Sequence, residues 1–181
     1  MILRQATPQD LERVIAILND GRTALAAQGL DQWQGGAPFA KIAEQDIADG
    51  TLWVAVNEND MPIGTVTYVY GGEADYSNIT AGAWLTQSAN CPAEGEATYP
   101  VLHRVAVKSD ATRQGVATFL LTTCFARAQN EGFLSVRVDT HEGNTRMQHT
   151  FEKCGMTRCC EIEITNPFEP TKKRIGFEIV L

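Results

Sequence analysis

The sequence predicts a single α/β domain built on a central sheet of mixed direction. Three observations carry that prediction. Val101 to Val107 reads as a strand, Gln114 to Glu131 follows a helical spacing and stops at Gly132, and Leu134, Val136 and Val138 alternate, so together they spell a β-α-β unit. Upstream, Leu52 to Val56 and Gly64 to Tyr70 flank the turn Asn57 to Asp60 as a hairpin rich in Val, Thr and Tyr. Finally, 181 residues with 44% hydrophobic and 20% charged side chains suffice for one full core but not comfortably for two, so residues 1–181 are read as one domain.

The remaining elements fall in order around these. Ile2 and Leu3 open a short strand, and Thr7-Pro8-Gln9-Asp10 supplies an N-cap, an N1 proline and an acid for a helix. Leu11, Val14, Ile15 and Leu18 then mark one apolar helix face. A second helix is expected from Pro38 to Ala48, after the loop GLDQWQGGAP. Residues 71–98, with Gly, Asn, Ser and Pro around the patch AGAWL, suggest a long connection or a locally ordered excursion. Asn144 to Lys153 reads as a helix with Met147, Phe151 and Cys154 on one face and Gly155 as its stop. Cys160, Ile162 and Ile164, then Ile175, Phe177, Ile179 and Leu181, alternate as two closing strands. The sum is a mixed sheet of about seven strands flanked by about four helices.

Composition excludes several functions. A net charge of −7 argues against a phosphate-backbone partner, so no nucleic acid is expected. Lys172 to Arg174 is read as a solvated turn before a strand. No secretion-type leader and no apolar run of membrane-spanning length is visible, which predicts a cytoplasmic protein without a membrane partner. The five cysteines, Cys91, Cys124, Cys154, Cys159 and Cys160, form no C-x-x-C pair, so free thiols are expected. His141, His149, Cys154 and Cys159 lack zinc-ligand spacing, and no metal is predicted. The absence of G-x-G-x-x-G after the first strand argues against a dinucleotide oxidoreductase.

The stretch SDATRQGVATFLL, residues 109–121, joins strand to helix. A helix N-terminus leaves backbone N–H groups unpaired and attracts an anion. Gly115 would allow close approach, Ala117 keeps the first turn narrow, and Thr112, Arg113 and Thr118 add donors. On these residues alone, a plain connection remains the alternative to a phosphate cradle.

The chain resembles the GNAT superfamily of acyl-CoA-dependent N-acetyltransferases over nearly its whole length. The resemblance is carried by the triplet Val105-Ala106-Val107, the turn Thr112-Arg113-Gln114-Gly115-Val116-Ala117 and the later segment VDTHEGNTRMQHTFEKCGM. Where the family begins its turn with Gln or Arg, this chain has Thr112, with Arg113 one place later. The loop DQWQ and the patch GAWL also look like a bacterial subgroup.

The resemblance implies acetyl-CoA as co-substrate. Its pyrophosphate would meet residues 112–118, its pantetheine would pair with the backbone of Val105 and Val107, and Asn144 would be a cofactor contact. It also implies direct transfer of an acetyl group to a primary amine of a small molecule or peptide, with an N–H at Ala106 or Val107 serving the oxyanion. His103 is the candidate base, since imidazole ordinarily titrates near ~6.5. On strand alternation it would share a face with Val101 and Val105; a histidine packed in the sheet without chemistry is the alternative. Glu96 and Tyr99 are fallbacks through a water, and His141 reads as a cofactor-side or turn residue.

Where the family often places a tyrosine acid, this chain has Phe151, lining the cofactor site without a hydroxyl. A catalytically weak or silent acyl-CoA-binding or regulatory domain is therefore the second reading. Cys154 is read as core rather than as an acyl carrier. Trp53 is expected in the core, whereas Trp33 and Trp84 are candidates for the acceptor-pocket wall. Homodimers would be unsurprising for the family, with the edges of the closing strands as one route.

Overall fold

In the computed structural model, residues 1–37, 39–89 and 98–181 are described. β1 (Ile2–Gln5) leads through a short 3-10 turn (Pro8–Asp10) into α1 (Leu11–Ala26). Asp10 fixes that turn, because its carboxylate accepts from Thr7 N at 2.8 Å and Thr7 Oγ1 at 2.9 Å. α2 (Phe39–Ala48), β2 (Leu52–Val56) and β3 (Pro62–Val69) follow. Beyond the connection come β5 (Val101–Val107), α3 (Val116–Asn130), β6 (Ser135–His141), α4 (Thr145–Lys153), β7 (Thr157–Glu163) and β8 (Lys173–Val180).

The strand the sequence did not resolve is β4 (Ile79–Gly82), which pairs at the far edge with β7. All four of its residues are exposed, so it carries no burial alternation to read. Leu134 also departs from expectation: it precedes β6, is exposed, and accepts a bond from Leu181 N through its carbonyl. The sheet order is β1-β2-β3-β5-β6-β8-β7-β4. α1 and α2 cover one face around Val14, Leu18, Ala43 and Val54, while α3 and α4 cover the other around Leu120, Phe125, Phe151 and Phe177.

Two local features open the sheet. β5 and β6 run parallel but are registered through one position, Val101 opposite Arg137, whereas β6 and β8 are registered along the whole of Ser135–His141. In addition, β5 carries a bulge: Thr67 faces His103, but Thr65 faces Ala106, and Arg104 takes φ +50°. The extra residue reverses the alternation. His103 therefore shares its face with Val101 and Ala106, while Val105 turns with Leu102 and Val107 toward the α3 core. The expected common face of His103 and Val105 is corrected on this ground.

Candidate active site

The splay between β5 and β6 is the floor of a cleft of about 1270 Å³. At one end lies the strand-to-helix turn. Arg113 at φ +63° and Gly115 at φ +80° are both left-handed, which turns the chain so that α3 starts with its N-terminus at the cleft. A Cβ added to Gly115 would have no atom within 4 Å and would project into open space, so the turn is a cradle with room beside the main chain. Phe119 N closes on Gly115 O at 2.9 Å, and the amides of Val116, Ala117 and Thr118 precede that first helical bond. The first turn of α3 contains no acid. Arg113 in the turn, and Arg146 and Lys153 elsewhere in the lining, add positive charge to the cleft, so this cradle suits an anionic group such as a pyrophosphate.

Most of the residues singled out in the sequence converge here. Trp33, His103, Val105, Ala106, Val107, Thr112, Arg113, Gly115, Val116, Ala117, Thr118, Asn144 and Phe151 all line the cleft. Some do so with other commitments. Val116 is buried in the core, Thr112 Oγ1 donates to Ser109 O at 3.0 Å, and the Asn144 side chain caps α4 by accepting from Met147 N at 3.3 Å. Asn144 Nδ2 also donates to Thr140 Oγ1 at 3.1 Å and Gln32 Oε1 at 3.3 Å. Gln114 is outside the lining, its exposed amide turned back to Asp110 O at 3.1 Å.

Strand geometry also separates the two oxyanion candidates. Lys108 N donates to Ile63 O, and the register continues through Val107 opposite Gly64 and Ala106 opposite Thr65. Hydrogen-bonded and non-hydrogen-bonded pairs alternate in an antiparallel ladder, so the Ala106 N–H faces β3 and the Val107 N–H faces the opening. Of the pair, Val107 is the donor available to the cleft.

Trp84 is placed elsewhere. It is 9% exposed, its Nε1 donates to Tyr76 O at 3.0 Å, and the Arg137 guanidinium lies 4.6 Å from its ring centroid. It seats on Gly176, where an added Cβ would come within 2.6 Å of the indole, so its ring packs on the sheet instead of walling an acceptor pocket. Tyr99 is fully buried with Arg137 3.9 Å from its ring centroid, and is no part of the cleft lining. Glu96 and Cys91 lie outside the described residues. Cys124, Cys154, Cys159 and Cys160 are unpaired, and burial pushes the Cys154 thiol up, as suits a core residue. His141 is the last residue of β6: its Nδ1 accepts from Gly143 N at 2.9 Å and its Nε2 lies 3.2 Å from Asp31 Oδ1.

Around His103 and Trp33 the cleft is completed by side chains that no sequence pattern announced: Glu73, Tyr76, Asp139, Glu169 and Arg174. His103 Nε2 stands 3.3 Å from Glu73 Oε2, and that hydrogen bond holds the Glu73 carboxyl below its ordinary range. Tyr76 donates to Asp139 Oδ1 at 2.9 Å, and burial drives its hydroxyl well above the usual tyrosine value. Arg174 Nη2 donates to Glu169 Oε2 at 2.8 Å, with Asp139 Oδ2 3.8 Å from its Nε. Glu169 also accepts from Trp33 N at 3.1 Å, while burial raises its carboxyl. Arg174 is 1% exposed, which corrects the solvated-turn reading at that residue: β8 starts at Lys173 and is buried without a break from Arg174 to Glu178. Glu73 meets His103 across 30 positions of chain and Tyr76 meets Asp139 across 63, and such contacts leave no periodic or local signal.

Among the described residues, no group of His, Cys, Asp and Glu is arranged to hold a metal ion, and no helix is long and apolar enough to cross a membrane.

The profile of the Acetyltransferase (GNAT) family matches residues 15–156, and the chain belongs to that family of acetyltransferases. No match was found among curated proteins. Among solved structures, a GNAT-family acetyltransferase from Streptococcus agalactiae 2603 is similar at 26% identity with a TM-score of 0.80, covering 99% of this chain and 95% of that one. A ribosomal-protein-alanine N-acetyltransferase from Brucella melitensis superposes with a TM-score of 0.69 at 19% identity over 100% of both chains. The NatB acetyltransferase complex bound to CoA and MES shares the fold with a TM-score of 0.66 at 12% identity, over 100% of this chain and 99% of that one.

Proposed function

We propose that the protein transfers an acetyl group from acetyl-CoA to a primary amine by direct attack. The observation that carries this reading is the single-position pairing of β5 with β6, with the N-terminus of α3 at the mouth of the opening. Bound acetyl-CoA supplies a thioester carbonyl open to an amine. The amides of residues 115–118 and the Arg113 guanidinium hold the pyrophosphate, and the backbone of Val105 and Val107 pairs with the pantetheine like an added strand. Val107 N–H donates to the oxygen that gains charge, a contact of a kind often worth ~3 kcal/mol.

His103 removes the proton from the acceptor ammonium, and ionised Glu73 beside it stabilises the imidazolium that results. Trp33 and the Glu169 carboxylate that binds its N–H wall the side on which the amine arrives. The thiolate departs past Phe151, which offers no hydroxyl. A thiol with an ordinary pKa near ~8.5 leaves without strict need of an acid.

Phe151 also supports a second reading, a silent acyl-CoA-binding domain. Acetyl-CoA titration followed by thiol release against a panel of small amines and peptides decides between them. Binding with acceptor-dependent thiol release is expected. Binding with no release for any acceptor favours the silent domain, and no binding overturns both.

A further inference from the structure

Arg104 occupies the bulge of β5 at φ +50°, in the left-handed region where a bulge ordinarily places glycine and where an L side chain is disfavoured. A specific contact holds it there. Its Nε donates to Asp46 Oδ2 at 2.8 Å and its Nη2 to Asp46 Oδ1 at 2.9 Å, a two-point charged bond reaching from the last turn of α2. Thr67, on the strand facing the bulge, joins the same group: its Oγ1 accepts from Arg104 Nε at 3.2 Å and donates to Asp46 Oδ2 at 3.0 Å. The pair is largely sheltered, with Asp46 13% and Arg104 24% exposed at the side chain. Asp46 is not part of the cleft lining, and Arg104 is.

We propose that Asp46 is a positioning residue, clamping Arg104 so that the bulge keeps β5 splayed from β6 and the backbone of residues 105–107 turned to the cleft. The inference rests on the reading of that cleft as an acyl-CoA site. The bulge reverses the alternation of β5 just before the cofactor-facing peptides, so whatever fixes the backbone at residue 104 fixes them as well. A glycine would reach the same φ without help but would not be confined to it. The arginine is confined by its carboxylate, and loses that confinement when the carboxylate is removed.

The test uses the whole chain and three variants: Asp46→Ala, Asp46→Ala with Arg104→Gly, and Asp46→Ala with Arg104→Ala. Amide hydrogen exchange over residues 101–107 and equilibrium binding of acetyl-CoA are read for each, with a thermal midpoint as the check on folding. Asp46→Ala is expected to exchange faster over that segment and to bind roughly tenfold more weakly, a modest loss for a displaced binding group. Adding Arg104→Gly restores most of both, because glycine takes the bulge conformation freely; adding Arg104→Ala does not. If the glycine and alanine variants behave alike, or Asp46→Ala exchanges like the parent chain, the clamp is overturned. Asp46→Asn, of the same shape, gives the same ranking should the alanine variant not fold. A parent chain that does not bind acetyl-CoA removes the reading of the cleft instead, and the exchange data still decide whether the clamp shapes β5.

Discussion

At the α3 end of the cleft, Arg113 and Gly115 bend the backbone so that main-chain N–H groups face the opening. At the other end, Tyr76, Asp139, Arg174, Glu169, Glu73 and His103 face it, each tied to another by a bond between side chains. The first end depends on dihedral angles and the second on matched charges. A substitution at the first end should therefore act on binding through backbone geometry, and one at the second should act on stability and proton transfer.

The largest effect is expected at the charged end, from Arg174→Met. It leaves the Glu169 and Asp139 carboxylates without their cation where both are largely buried, and breaking a buried pair typically costs ~3–5 kcal/mol. The loss has a pH signature. A carboxyl raised in the folded chain, as Glu169 is, holds its proton more tightly there than in the unfolded chain. Its contribution to stability therefore falls as pH rises from the unfolded pKa through the folded one. Without Arg174 that rise is larger, so the deficit in thermal midpoint should be widest near neutral pH and narrow in acid. A deficit independent of pH would remove the charge argument.

Next in size is Gly115→Val at the backbone end. The φ of +80° disfavours any L side chain, and the added atoms enter the cradle, so acetyl-CoA affinity should fall roughly a hundredfold. Calorimetric titration reads the loss directly. An affinity within threefold of the parent would mean that the turn does not carry the pyrophosphate.

His103→Ala should lower kcat by roughly tenfold to a hundredfold, at the low end of general-base contributions because Glu73 remains beside the vacancy. The acid limb of the pH–rate profile should move down toward the carboxylate range. Glu73 is held ionised below its ordinary pKa by the His103 contact, so its own share of stability is present above the unfolded pKa and is lost as pH falls. An unchanged rate and profile would take His103 out of the chemistry and leave it a sheet residue.

The same contrast explains what could be read from the sequence. The turn at the start of α3 was legible because its parts are consecutive: a strand pattern, a glycine turn and a helix pattern within residues 101–131 give the element order, while the phosphate role came only with the family resemblance. The charged end was legible only at Trp33 and His103, because Glu73, Asp139 and Glu169 come from three separate segments and meet only when the sheet closes. His103 was singled out by residue type and shares a face with Val101 as expected, but Val105 does not join them, since one inserted residue at Arg104 undoes the two-residue period. Trp84 was misplaced for a related reason. Its cation–π contact with Arg137 and its seat on Gly176 lie 53 and 92 positions away, beyond any local pattern.

The smallest effect is expected at Phe151. It lines the cleft yet packs on Phe177, with ring centroids 5.3 Å apart, so a para substituent has cleft on one side and core on the other. Phe151→Tyr should raise kcat by about threefold to tenfold, less than the ~100-fold of a fully placed acid, because the ring is held by its packing and not by a partner for the hydroxyl. The KM for acetyl-CoA should stay within twofold, since the pyrophosphate donors are untouched. The thermal midpoint tells which way the hydroxyl points: buried against Phe177 without a partner it would cost ~1–3 kcal/mol, whereas facing the cleft it would cost little. A faster enzyme with an unchanged midpoint would show that thiolate departure limits the parent chain. An unchanged rate with an unchanged midpoint would place the limiting step at the His103 end of the cleft.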